Sequence, residues 1–210
     1  MDNNYIQTQK EQLLKEIEID IKDKKVLKAL KEVPRECFFD EEHKEFSYLN
    51  APFSIGYGQT ISQPYIVALM TELLQLKRSD KVLDIGTGSG YQAAILSKLC
   101  KEVVSIEIVE ELYLSAKARL KRLGYDNVKC VLGNGVEGYE KGTPYDKILC
   151  AAAYPEIPPS WIKQLKRGGI IVFPLETSVS QDLVTVTKNM SGEIKILSHE
   201  KVVFVPLINK

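Results

Sequence analysis

The sequence predicts an α/β domain preceded by a helical cap. An apolar strand at residues 82–85 leads through glycines at alternate positions into a helix at 91–97. A second apolar segment, residues 102–107, then completes a strand–helix–strand unit. Because neighbouring parallel strands need such a crossover, this order is typical of α/β folds.

Composition predicts one ordinary globular domain. The 210 residues include 28 basic and 28 acidic side chains, and 44% of the residues are hydrophobic. A formal net charge of zero disfavours a dominant electrostatic contact with nucleic acid or membrane. The sequence contains no membrane-length apolar stretch and no basic segment that leads into an apolar run, so we expect neither a membrane span nor a signal peptide. We therefore expect a monomeric, cytoplasmic protein with one domain at 1–210, whose first 50 residues form the cap.

The cap is predicted from helical periodicity. Apolar residues recur at helical spacing between 7 and 33, and a second helix is expected at 24–33, ended by Pro34. Lysines alternate with acids here, which is typical of a solvated helix face rather than a nucleic-acid patch. We expect four aromatic residues to pack this cap on the main domain: Phe38, Phe39, Phe46 and Tyr48.

Residues 51–65 are rich in glycine, proline, hydroxyl and amide groups and contain almost no charge. Ser62 followed by Pro64 fits a helix start, so one interpretation is a connector that ends in an N-cap. A connector does not need so many uncharged hydrogen-bonding groups, and a binding loop explains them as well. Both interpretations stay open on the residues alone.

The segment from Asp84 to Gly90 indicates a nucleotide or nucleoside site. Gly86, Gly88 and Gly90 allow a tight turn and a close approach of a ligand to the backbone. The dinucleotide fingerprint requires glycine at its sixth position, which here is Tyr91. The pattern D-x-G-x-G-x-G instead resembles the first motif of S-adenosylmethionine (AdoMet) methyltransferases, and a purely structural turn is the alternative.

Two later strand ends supply polar groups near this turn. Glu107 ends the second strand, where an acid can accept hydrogen bonds from both hydroxyls of a ribose. Asn134 follows the third strand, 127–132, and is flanked by glycines. It either forms a simple turn or accepts a hydrogen bond from an adenine amino group through its side-chain oxygen.

The rest of the chain predicts further strands and helices. We expect a strand at 145–150, a helix at 161–165, a strand at 170–173, an antiparallel hairpin at 183–187 and 194–197, and a last strand at 202–207. Four widely spaced cysteines indicate reduced thiols, and two distant histidines give no pattern for a metal site or a Cys/His nucleophile pair.

Together these motifs resemble the protein-L-isoaspartate (D-aspartate) O-methyltransferase family. The resemblance runs from Val33-Pro34-Arg35 to the closing Phe-Val-Pro-Leu at 204–207. Its most specific part is the segment GQTISQP at 58–64, which other AdoMet methyltransferases do not share. The glycine turn and residues 155–158 also match.

The resemblance implies a Rossmann-like AdoMet-dependent methyltransferase fold, with a doubly wound sheet of seven strands and a reversed last strand. It implies methyl transfer to the free carboxylate of L-isoaspartyl and D-aspartyl residues in damaged proteins, which begins their repair through a succinimide. Ser62 matches the family's catalytic serine. The expected AdoMet site comprises Gln59, Thr60, Asp84, Gly86, Gly88, Gly90, Glu107, Asn134 and Gly135.

Two departures from the family pattern lie near this expected site. Asn134 stands where the family usually has Asp, and Ala151 where Thr is common.

A carboxylate is ionised at neutral pH, so its methylation needs no general base, and the protein's task is to align and desolvate the reactants. Two alternatives are an AdoMet enzyme that acts on aspartate in one dedicated peptide and an AdoMet-binding protein without catalysis.

Overall fold

This computed structural model describes residues 3–209, in which helices and strands alternate between residues 64 and 132. The α-helices are α1 (Asn3–Glu18), α2 (Lys24–Glu32), α3 (Pro64–Leu73), α4 (Tyr91–Ser97), α5 (Glu110–Arg122) and α6 (Pro159–Gln164). The strands are β1 (Phe53–Gly56), β2 (Gln59–Ile61), β3 (Lys81–Ile85), β4 (Glu102–Glu107), β5 (Val128–Leu132), β6 (Tyr145–Cys150), β7 (Leu165–Glu176), β8 (Gln181–Lys188) and β9 (Ile194–Val202). Short 3-10 turns lie at Arg35–Phe38, Glu41–Phe46, Gly135–Glu137 and Glu140–Gly142.

Seven strands form one mixed sheet in the order β5–β4–β3–β6–β7–β8–β9. The first five in this order are parallel, whereas β8 runs antiparallel to both of its neighbours. The α/β class and the seven-stranded sheet are confirmed, and the reversed strand is β8, the next to last in the chain. The winding direction changes between β3 and β6, which is where open parallel sheets bind ligands at the carboxyl ends of their strands.

Side chains of the central strands alternate between two apolar layers. Val82 and Leu149 face the layer that contains α3, α4 and the cap. Leu83 and Ile148 face the opposite layer, which is built around Trp161. Because both faces of the sheet are covered, its central strands are nearly continuous apolar runs, and these runs located them in the sequence.

Aromatic side chains attach the cap to the main domain, as the sequence predicts. Phe38 meets Tyr91 of α4 edge-on, with 5.4 Å between ring centroids. Phe39 and Phe46 pack on Phe53 of β1, at 5.3 and 5.5 Å. The cap therefore contacts both the glycine-turn helix and the segment before Ser62.

The predicted last strand at 202–207 is wrong. β9 already ends at Val202, and the chain then forms a single parallel bridge, Ala153 with Pro206. Ala153 donates to the Val205 carbonyl and Leu207 donates to the Ala153 carbonyl, both at 2.8 Å. Pro206 has no N–H, which limits how far this ladder can extend.

The described residues also bear on two other expectations from composition. Between residues 3 and 209 the helices lack the combination of length and apolar character that crossing a membrane requires. All four cysteines lie in this range and are free thiols, with Cys100 and Cys150 buried and Cys37 and Cys130 partly exposed.

Candidate active site

A cleft opens at the carboxyl ends of β3, β4 and β6, beside the point between β3 and β6 where the strand order changes direction. It is lined by residues from several separate segments, 59–62, 85–89, 106–108, 135, 151–152 and 205–208. The fold therefore brings together most of the predicted site residues: Gln59, Thr60, Ser62, Gly86, Gly88, Glu107 and Gly135. Asp84, Gly90 and Asn134 lie behind or beside this lining.

The glycine turn has a backbone that other residues rarely adopt. Gly86, Gly88 and Gly90 have φ angles of 90°, 53° and 90°. A Cβ on Gly90 would lie 3.2 Å from two atoms of Leu120 in α5. Gly90 thus allows the turn to pack against α5, while Gly86 and Gly88 form the wall of the cleft.

Glu107 is held by the backbone on both sides of its carboxylate. Its Oε2 accepts a hydrogen bond from the Gly88 N–H at 2.8 Å, and its Oε1 accepts from Ile108 and Val109 at 2.9 and 3.0 Å. These donors fill three of the roughly four acceptor positions of a carboxylate. The residue is 6% exposed and lines the cleft, so one acceptor position remains for a ligand donor.

Asp84 lies one layer below the turn and is fully buried. Ser105 donates its hydroxyl to Asp84 Oδ2 at 2.6 Å, and Thr87 Oγ1 lies 2.7 Å from Ser105 Oγ. Burial raises the pKa of Asp84 to about 7, with a smaller increase from the charge of Glu107, while the Ser105 hydrogen bond opposes both. Asp84 therefore supports the turn through Ser105 and Thr87, and its predicted contact with the cofactor stays a prediction.

Residues 51–65 contain a β-hairpin that the sequence did not predict. β1 pairs antiparallel with β2, and the turn between them places Gly56, Tyr57 and Gly58 at φ angles of 83°, 54° and 70°. A Cβ on Gly88 would lie 3.3 Å from Ile55 Cδ1. The hairpin therefore lies directly over the glycine turn and covers one side of the cleft.

Ser62 follows the hairpin and does not cap a helix. The N-cap of α3 is Gln63, whose side chain makes no capping hydrogen bond. This excludes the interpretation of the segment as a connector that ends in a Ser62 N-cap. The partly exposed Ser62 lines the cleft instead, which favours a binding loop.

The helical cap holds the segment around Ser62 through hydrogen bonds. Arg35 Nη2 donates to the Ser62 carbonyl at 2.8 Å. The Asn50 carbonyl accepts from Gln63 Nε2 at 2.9 Å, and Asn50 Oδ1 accepts from the Tyr65 N–H at 3.2 Å. Sequence reasoning assigned the cap a packing role only, and these contacts extend it to the site.

Asn134 caps the 3-10 turn that begins at Gly135. Its Oδ1 accepts from the Val136 N–H at 3.0 Å, and its Nδ2 donates to Asn209 Oδ1 at 2.9 Å. The adenine contact of Asn134 stays a prediction. Gly135 lines the cleft, and a Cβ there would lie only 2.4 Å from Ile85 Cγ2, so a larger residue would displace the end of β3.

Sequence reasoning missed several parts of the cleft lining. Residues 205–208 form one side of the cleft, held there by the bridge between Ala153 and Pro206. Tyr91 and Gln92, at the start of α4, also line it. The Phe-Val-Pro-Leu motif was recognisable in the sequence, but only the bridge shows that it returns to the glycine turn.

Comparison with known sequences shows one consistent similarity. A family model described as protein-L-isoaspartate(D-aspartate) O-methyltransferase matches residues 7–210. Protein-L-isoaspartate O-methyltransferase 2 of Nitrosococcus oceani is 49% identical over 188 residues, which is 90% of this chain and 86% of the relative. The protein of the same name from Archaeoglobus fulgidus is 48% identical over 187 residues, 88% of this chain and 85% of the relative.

Solved structures give the same result. A protein-L-isoaspartate O-methyltransferase structure superposes with a TM-score of 0.86 and 29% identity, over 95% of this chain and 66% of the other. A Plasmodium falciparum protein-L-isoaspartate O-methyltransferase in complex with S-adenosyl-L-homocysteine (AdoHcy) has a TM-score of 0.81 and 26% identity. That superposition covers 94% of this chain and 97% of the other.

Proposed function

This chain belongs to the protein-L-isoaspartate(D-aspartate) O-methyltransferase family, and from that premise we propose that it methylates isoaspartyl residues. It transfers the methyl group of AdoMet to the free carboxylate of L-isoaspartyl, and also D-aspartyl, residues in damaged proteins. The observation that carries the proposal is that the Ser62 loop and the glycine turn with Glu107 line the same cleft.

The residues of the cleft fit AdoMet. The anchored Glu107 carboxylate would bind the ribose, and Asn134 and Gly135 would contact the adenine. Gly86 and Gly88 let the ligand approach the backbone, with Gln59 and Thr60 on the opposite wall. The P. falciparum homologue, with AdoHcy bound, supports this use of the cleft.

The groove beside Ser62 suits a peptide acceptor. Ser62 and Thr60 line the cleft and also a neighbouring groove of about 370 Å³. The groove is otherwise lined by Pro52, Gln63, Ile66 and residues 201–204. A peptide in this groove presents its carboxylate at Ser62, on the border of the cofactor cleft, and Lys201 adds a positive charge near the anionic acceptor.

The chemistry requires alignment rather than acid–base catalysis. AdoMet supplies an electrophilic methyl group on a positively charged sulfur. The acceptor carboxylate is already ionised at neutral pH, so one of its oxygens attacks the methyl carbon directly as the carbon–sulfur bond breaks. Ser62 donates its hydroxyl hydrogen bond to the carboxylate and fixes its direction. Such pre-organisation contributes roughly 7–11 kcal/mol in well-positioned reactions.

Water exclusion is the second task of the protein. Ile55 of the hairpin and residues 205–208 lie on two sides of the cleft. Removing water weakens the solvation of the attacking carboxylate and prevents side reactions. The methyl ester is released from the enzyme, and attack by the adjacent backbone nitrogen expels methanol and forms the succinimide.

A pair of matched peptides tests the proposed acceptor. We expect methyl ester formation on an isoaspartyl peptide and background levels on the aspartyl peptide of the same sequence, measured as base-released methanol. An isoaspartyl peptide with its free α-carboxylate amidated is the control and is expected to be inert. Equal methylation of the aspartyl peptide would support a different acceptor, and AdoMet binding without methyl transfer would support a non-catalytic protein.

A further inference from the structure

A buried arginine lies directly behind Ser62 and has no acidic partner. Arg35 is 1% exposed and belongs to the 3-10 turn Arg35–Phe38. The adjacent Glu36 accepts a hydrogen bond from the Tyr48 hydroxyl instead. Within residues 3–209, Arg35 forms no ion pair. Burial lowers the pKa of Arg35 to about 10, so the side chain stays positively charged at neutral pH.

The guanidinium joins the cap to the active site. Its Nε donates to the Ser47 carbonyl and its Nη2 to the Ser62 carbonyl, both at 2.8 Å. Its central carbon lies 4.6 Å from the ring centroid of Tyr91, which lines the cleft. Nη1 is buried and has no hydrogen-bond partner among the described residues.

A contribution to the stability of the folded protein does not explain why the charged Arg35 side chain is buried here. A buried charge loses its hydration, and apolar residues of similar volume often give equal or greater stability than a buried ion pair. Arg35 carries that cost without an ion pair and with one nitrogen unpartnered. Two carbonyls and two rings, those of Tyr91 and Phe39, determine its position, and two of these four groups belong to residues of the cleft.

We propose that Arg35 is a positioning residue for methyl transfer, because it fixes the backbone of Ser62 against Tyr91 and thereby orients the Ser62 hydroxyl. The inference rests on the proposed role of Ser62 as the group that holds the acceptor carboxylate. A planar guanidinium can donate to two carbonyls and stack on a ring at the same time, which a lysine ammonium cannot reproduce.

Geometry rather than charge is the contribution of Arg35. Methyl transfer joins an anionic carboxylate to a positively charged sulfonium, so the charge on the acceptor decreases in the transition state. A nearby cation therefore stabilises the bound reactant more than the transition state, which does not raise the rate. A misplaced Ser62 hydroxyl, by contrast, affects the transition state directly.

Arg35→Lys tests the inference because it keeps the charge and removes the planar fork. We expect kcat with the isoaspartyl peptide to fall by about 10- to 100-fold, with AdoHcy affinity by calorimetry close to that of the unchanged protein. Arg167→Lys is the matched control, since the exposed Arg167 also donates to a carbonyl, that of Met190 at 3.2 Å, and is expected to keep full activity. Unchanged kcat in Arg35→Lys would overturn the inference.

A double-mutant cycle with Ser62→Ala separates positioning from a general structural effect. If Arg35 acts through the Ser62 hydroxyl, Arg35→Lys lowers kcat much less in the Ser62→Ala protein than in the unchanged one. Equal losses in both backgrounds would overturn the inference and leave the proposed function intact. A Ser62→Ala protein with full activity would instead refute the role of Ser62 and the inference with it.

A second variant covers the case in which Arg35→Lys does not fold. Arg35→Gln keeps a planar N–H donor and removes the buried charge. It replaces Arg35→Lys in the double-mutant cycle, and we expect the same coupling with Ser62→Ala. Thermal unfolding of each variant verifies that the compared proteins are folded.

Discussion

Two buried acids flank the glycine turn and differ in what surrounds them. The Glu107 carboxylate, at the end of β4, accepts hydrogen bonds from three backbone N–H groups. Asp84 lies inside β3, paired in register with Ser105, and its Oδ1 is buried without a hydrogen-bond partner among the described residues. The sequence predicted the location of Glu107 because this residue ends a parallel strand, and the carboxyl ends of parallel strands form the edge of the sheet that binds ligands. It could not predict that Asp84 accepts a hydrogen bond from Ser105 of the neighbouring strand.

Replacing Glu107 tests the ribose assignment. Glu107→Gln keeps the size of the side chain but loses the charge and at least one acceptor position, so a backbone N–H and a ribose hydroxyl both lose a partner. We expect AdoHcy affinity to fall by about 10- to 100-fold in calorimetry. Glu110→Gln, on the exposed first turn of α5, is the control and is expected to bind normally. Equal affinity of Glu107→Gln and the unchanged protein would make the assignment wrong.

Asp84 makes the stability of the ligand-free protein depend on pH. Its pKa is about 7 in the folded protein, against an ordinary value of 3.8, so between these pH values the folded state holds a proton that the unfolded state has released. The contribution of Asp84 to stability therefore falls as the pH rises from about 4 to 7 and stays low above that.

Asp84→Asn removes this titration and retains an oxygen for the Ser105 hydroxyl. We expect the free energy of unfolding of the variant, relative to the unchanged protein, to rise by on the order of 2–4 kcal/mol between pH 5 and pH 8. Urea unfolding at both pH values measures it, with Asp126→Asn, at an exposed position, as the control. Parallel pH dependence of the Asp84→Asn and unchanged proteins would contradict the account.

At the scale of elements, the long segments were predictable and the short ones were not. α5 is long enough to display a helical period, and the central strands are nearly continuous apolar runs. β1 and β2 have only four and three residues, and the turn between them includes Tyr57 at a positive φ angle, which residue type does not indicate. The composition of 51–65 therefore indicated a binding loop as one of two interpretations, while the hairpin that shapes it was missed.

The closing segment shows a second reason for local errors. After Val202 ends β9, residues 203–207 have the β-branched and aromatic residues of a strand, yet in this segment the structure forms only the bridge of Pro206 with Ala153. Tertiary contacts decide its structure, because its N–H and carbonyl groups meet Ala153 rather than a full neighbouring strand. The position of this segment beside the cleft could therefore not be predicted from the sequence.

At the scale of the whole molecule, the cap supports the candidate active site by holding the segment around Ser62. The sequence predicted one α/β domain with a helical cap, and the family resemblance implied seven strands. It did not predict that Arg35 and Asn50 of the cap bind the segment around Ser62, because these contacts join residues 13 to 27 positions apart. The site therefore depends on the docking of the cap as well as on the sheet.

Single-turnover methyl transfer by Ser62→Ala tests the central claim most directly. With saturating AdoMet and an isoaspartyl peptide, we expect the rate of ester formation to fall by about 10- to 10³-fold, the scale of one lost positioned hydrogen bond. AdoMet affinity is expected to stay near that of the unchanged protein, since the glycine turn and Glu107 are intact. Ser54→Ala, on the same hairpin but outside the cofactor cleft, is the control. A Ser62→Ala protein that methylates at the unchanged rate would contradict the account.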